Sequence, residues 1–242
     1  MKEIHLIQAR HALPFIRLLK QRGAPIKLLA KQAGLPLAAA VSGEGVIGER
    51  SLWRFIEYAA ERVGDDYFGY HCAKASPVLN NGKFGVMPLS RAISLEDLLE
   101  QFFTDAQKES SGSKIRLDKG RHHSWLRRQP IFQSEQASWH VEQYMLQVFI
   151  QLIRICTGPE WLPAEIGVSS RNSPQPVPGE WSSTRFHWGR PGTELKIPNI
   201  TLKLPPATRL VSDQAGQARQ GASDQLTIHG LVNRQLASGA AS

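Results

Sequence analysis

Cysteine is nearly absent from this chain. Only Cys72 and Cys156 stand among its 242 residues, too few for a disulfide framework and without the CxxC spacing of a zinc site. Long hydrophobic runs are missing too. The richest stretch, "VEQYMLQVFIQLIRIC", is broken by Glu142, Gln143, Gln147, Gln151 and Arg154, which excludes a membrane span and leaves no membrane partner expected. The opening "MKEIHLIQARHALPF" lacks a continuous apolar core and a small-residue cleavage site, so a secretion leader is not expected and a cytoplasmic protein is. No serine sits in GxSxG, and HExxH and P-loop motifs are absent. No catalytic residue, metal ligand or cofactor is therefore expected, and the chain reads as something other than an enzyme.

What is present describes a globular chain. Apolar residues make up 41% and charged residues 21%, with a net charge of +8 that favours anionic partners. The length allows one sizeable core or two small ones. Short helices are expected first: Phe15, Leu18 and Leu19 after Pro14, then Ile26, Leu29, Ala30 and Ala33, with stops at Gly23 and Gly34. A firmer helix follows Ser51, with Leu52, Phe55, Ile56, Ala59, Ala60 and Val63 on one face. Ser94 and Asp97 have capping-box spacing before Leu95, Leu98, Leu99, Phe102 and Ala106. "SKIRLDKGRHHSWLRR" alternates around an Asp118-Lys119-Gly120 turn, as a β-hairpin does. A long helix is expected over 134–157, and "EIGVS", "RFHW" and "ELKI" read as strands. Helices in front, then strands and helices mixed without βαβ alternation, place the chain in the α+β class, with helices packed on an antiparallel sheet behind an N-terminal helical segment.

Several motifs invite chemistry and fail on geometry. "GEGVIG" at 43–48 satisfies GxGxxG but lacks the preceding strand and downstream acid of a dinucleotide site, so a loop is expected. "IKLLAKQAGLPLAAAV" resembles a helix-turn-helix, yet the stretch after its turn offers no base-reading side chain, and a plain αα-hairpin is the better reading. In "DDYFGYHCAKAS", adjacent helical residues diverge, so His71 and Cys72 cannot close on one metal. His122 and His123, neighbours on a strand, point to opposite faces. The basic hairpin with Lys114, Arg116, Lys119, Arg121, Arg127 and Arg128 reads as a solvated edge. Its alternative function is a stand-alone module binding anions or nucleic acid over 114–128.

From Ser51 to Pro206 the order of features resembles a family. "LWRFIEYAAERVGDDYFGYHCA", "FGVMPLSRAISLEDLLEQFFTDAQ", "TGPEWLPAEIGVS" and "RFHWGRPGTELKIPNITLKLPP" are similar, in that order, to the N-terminal sensor domain of AraC-type transcription regulators of the arabinose-binding-type branch. The resemblance implies a domain that binds a small-molecule effector and forms a homodimer. It also implies DNA binding through a C-terminal domain that would begin near Ser242, after a connector in "LTIHGLVNRQLASGAAS". Three parts are expected: a helical segment over 1–50, the sensing domain over 51–206, and a linker with the start of a connector helix over 207–242. Phe84, Met87, Phe102, His140, Tyr144 and Trp188 are the expected pocket residues. Leu146, Ile150 and Ile153 form an apolar row that looks surplus to one core contact, and so are expected at the dimer face.

Overall fold

Proline and glycine divide the first part of the chain into short helices. In the computed structural model, which describes residues 5–77, 92–130, 138–171 and 177–207, β1 (Leu6–Gln8) leads through a 3₁₀ turn (Ala9–Ala12) into α1 (Leu13–Gln21). α2 (Ile26–Ala33) and α3 (Leu37–Ser42) follow. Gly34, at φ 65°, ends α2 in the left-handed conformation that a residue with a Cβ avoids. This pair is the αα-hairpin expected from "IKLLAKQAGLPLAAAV". β2 (Val46–Gly48) then pairs antiparallel with β1, Ile7 opposite Ile47. The expected loop at 43–48 is thus half strand, because Ile47 has a core to enter and is only 2% exposed.

α4 (Glu49–Val63) and α5 (Phe68–Ala75) continue without a break in packing. One hydrophobic cluster runs from Ala9 through Phe15, Leu19, Leu29, Phe55 and Ile56 to Phe68 and Cys72. It crosses residue 50, so the helical segment expected over 1–50 shares its core with α4 and α5.

The second core belongs to the sheet. α6 (Leu95–Glu109) starts where Ser94 Oγ accepts from the Asp97 amide at 3.2 Å, and buries Leu95, Leu98, Leu99 and Phe102. β3 (Ser113–Lys119) and β4 (His123–Pro130) form the expected hairpin, with Leu117 opposite Leu126. The turn falls after Lys119, later than the sequence suggests. β5 (Glu165–Gly167), β6 (Arg185–His187) and β7 (Thr193–Pro198) complete a five-stranded sheet in the order β3-β4-β7-β5-β6. All its pairings are antiparallel except β5 with β6. The α+β class is thus as expected. A one-turn α8 (Asn199–Leu202) follows.

α7 (Ser138–Thr157) joins the two halves. Val141 enters the first cluster, Phe149 and Leu152 enter the second, and Tyr144 and Met145 touch both. Gly69 of α5 lies against the His140 carbonyl, where a Cβ would collide; the missing side chain lets the helices approach. Leu146, Ile150 and Ile153 are each 0% exposed inside the second cluster. They form no dimer face. A helix apolar nearly all round is wrapped here by its own chain, with α5 and α4 on one side and α6 and β7 on the other.

Candidate functional site

A cavity of about 120 Å³ lies where the two cores meet. Phe15 reaches it from α1, and Leu52, Trp53 and Ile56 from α4. Phe102 and Ala106 line it from α6, Ile115 from β3, and Val141, Tyr144, Met145 and Val148 from α7. Each helix contributes its inward stripe, so the wall is apolar for the same reason the cores are. The polar exceptions are His11, Glu49, Glu109, Ser110, Arg128 and the hydroxyl end of Tyr144.

Most of these polar groups are satisfied. Arg10 forks onto Glu109, donating from Nε to Oε2 at 2.8 Å and from Nη2 to Oε1, and His11 Nε2 lies 3.2 Å from Oε2. Burial pushes the Glu109 carboxyl up, but the His11 and Arg10 hydrogen bonds outweigh it and hold it near 2. Glu49, 1% exposed, accepts from Ser110 Oγ at 2.8 Å. Gly112 leaves room for that carboxylate, which a Cβ there would strike.

Arg128 is different. It is 4% exposed, and its guanidinium lies 5.2 Å over the Trp53 ring. Its Nη2 is 3.9 Å from Glu49 Oε1, a charge contact beyond hydrogen-bonding reach. Among the described residues its guanidinium donates no hydrogen bond. Burial lowers its pKa, with Glu49 and Glu142 opposing. Desolvation of a cation is costly when its donors stay empty.

The expected pocket residues divide. Phe102 and Tyr144 line the cavity; Phe84 and Met87 lie outside the described residues, as does the stretch beyond Ala207. His140 is 8% exposed on α7 but does not line the cavity, and among the described residues its Nδ1 has no hydrogen-bond partner. Burial lowers the His140 pKa. Trp188 stacks on Phe186 at 5.2 Å, in a separate aromatic cluster with Trp139 and Trp181. His187 meets Glu165 at 2.9 Å. His71 meets Asp65 at 2.8 Å, while Cys72 is fully buried with its thiol pushed up by burial. That adjacent pair is packing.

The basic hairpin is more neutral than its composition suggests. Arg116 and Arg127 reach Asp118 at 2.8 and 3.3 Å, Arg127 also reaches Glu194 at 3.0 Å, and Lys119 pairs with Glu96. Sequence reasoning missed Arg128 by grouping it with these. The available signal was parity. On β4, Ser124, Leu126 and Arg128 share the buried face, while Arg127 points the other way. Glu49 was missed as well, because an acid in a first helical turn already has a reason to be there.

No family model matches the chain, and no curated protein sequence does. Among solved structures, it is similar to the crystal structure of transcriptional regulator CdpR from Pseudomonas aeruginosa, with a TM-score of 0.59 at 14% identity. The alignment covers 82% of this chain and 58% of that one, so this chain spans little more than half of its structural neighbour. At that identity the likeness is one of fold.

Proposed function

We propose that this chain is the effector-sensing domain of a transcription regulator of the AraC type, with the cavity between the two cores as its binding site. The observation that carries this reading is the placement of the cavity. It is apolar with a few converging polar groups, and its walls belong to two separately packed halves. The likeness in fold to a transcriptional regulator, and the ordered resemblance over 51–206, support the same reading.

On this reading the domain binds a small molecule and does not turn it over. A ligand touching Trp53 on α4 and Phe102 on α6 would favour one arrangement of the halves over others, and a linked DNA-binding domain outside this chain would read that preference. Self-association belongs to the same proposal, through a surface other than the buried row on α7.

The test is a thermal-shift screen of benzene-sized alcohols, amides and carboxylates against the chain and its Ala106→Leu variant. A ligand at a hundredfold excess over its Kd stabilises by about 2.7 kcal/mol. Compounds that raise the melting temperature of the chain should fail on the filled variant. Equal stabilisation of both would remove the cavity as the site.

A further inference from the structure

We infer that the ligand of this cavity is a small apolar monocarboxylate whose carboxylate is held by Arg128. The inference rests on the cavity being the effector site and names the chemistry that site accepts.

Counting donors and acceptors along the wall gives its polarity. Both Glu109 oxygens are taken by Arg10 and His11, and Glu49 Oε2 is taken by Ser110. The Ser110 hydroxyl also accepts from the Gly112 amide at 3.1 Å. The acceptors are largely occupied, and the donors of Arg128 are not. A cationic ligand would find Glu49 Oε1 as its one open carboxylate oxygen, and beside that oxygen a guanidinium that repels it. A carboxylate would find a planar fork whose parallel N–H groups match its two oxygens. Trp53, beneath the guanidinium, holds the fork in place from the other side.

Size and lining give the rest of the ligand. A cavity of about 120 Å³ accommodates a body on the order of one six-membered ring. Around it stand Ile56, Phe102, Met145 and Val148, none of which can hydrogen-bond, with the Tyr144 hydroxyl as a single uncharged polar group among them. A second acid would meet no second open cation there, and a sugar's several hydroxyls would be desolvated with too few partners. Benzoate, phenylacetate and hexanoate fit this description.

Glu49 supplies an internal check. Its carboxylate stands 3.9 Å from the same guanidinium, so an arriving anion is repelled by Glu49 while it is attracted by Arg128. Neutralising Glu49 should therefore tighten binding, the reverse of what loss of a ligand contact does.

The experiment is calorimetric titration of the 242-residue chain with benzoate, phenylacetate and hexanoate, each against its amide. The acids should bind at one site and the amides at least ~10-fold more weakly, as for loss of a charge-assisted pair. Glu49→Gln should tighten the acids several-fold and leave the amides unchanged. The double variant Arg128→Met with Glu49→Gln, which leaves no lone charge of this pair, should lose the preference for acids. Amides binding as well as acids would overturn the carboxylate and leave the cavity reading standing. Failure of every probe to bind would overturn both. If the double variant does not fold, the acid-to-amide ratio and Glu49→Gln still decide.

Discussion

Glu142 and Arg128 are buried charges on neighbouring elements, 2% and 4% exposed, and their surroundings could hardly differ more. Glu142 accepts from the Ser169 amide at 2.7 Å, the Ser170 amide at 3.2 Å, Ser170 Oγ at 3.1 Å and Thr193 Oγ1 at 3.3 Å. It clamps α7 to the sheet, and nothing is left for a ligand. Among the described residues Arg128 has a loose charge contact with Glu49, the longer-range field of Glu142 and a ring beneath it, and no hydrogen bond from its guanidinium. A buried charge with every partner in place is architecture; one with its donors empty, facing a cavity, is an unfinished site. The two are easily confused by burial alone, and only the hydrogen-bond accounting separates them.

The largest effect that tests this contrast is Glu142→Ala. It strands donors on Ser169, Ser170 and Thr193, and should cost about 3–5 kcal/mol in urea denaturation, as breaking a buried charged network does. Next comes the pair around the cavity. Replacing Arg128 with Met and Glu49 with Gln together should change stability by no more than about 1 kcal/mol, because a poorly hydrogen-bonded buried pair repays little of its desolvation. The contrast breaks if the double variant costs as much as Glu142→Ala.

A smaller effect concerns Glu109, the cavity acid that is fully engaged. Its pKa falls from the ordinary 4.5 to about 2 in the fold. A carboxyl depressed by folding contributes stability that is present above its unfolded pKa and is lost as pH falls through the folded one. Glu109→Gln should therefore flatten the acid limb of a stability-versus-pH curve between about 4.5 and 2, and leave its shape above pH 6 unchanged. Glu57 provides the opposite sign. Burial first, and then Glu61, raises it to about 7, so its ionisation between 4.5 and 7 weakens the fold as pH rises.

Much of the fold is legible in the sequence because its signals are local. The left-handed turns at Gly34 and Gly64, the Ser94 cap and the alternation around Leu117 and Leu126 each depend on a few neighbouring residues. The site depends on what meets across the fold. Phe102 and Tyr144 were legible because they lie on inward stripes, and at the seam between two cores an inward stripe becomes a cavity wall. Trp188 also turns inward, but toward Trp139 and Phe186, and nothing local distinguishes one interior from another. The row Leu146, Ile150 and Ile153 shows the same limit from the other direction. Its apolarity is plain, but whether a partner or the chain itself covers it depends on elements more than thirty residues away, such as Leu98, Leu195 and Ile197. Arg128 hid inside a run of cations, and strand parity with Leu126 was its one local trace.

The most direct measurement is a crystal structure of the chain grown with benzoate. Density for the ring is expected between Trp53, Phe102 and Val148, with both carboxylate oxygens within hydrogen-bonding distance of the Arg128 guanidinium. An empty cavity under saturating benzoate, or a ring bound there with its carboxylate turned away from Arg128, would contradict the proposal.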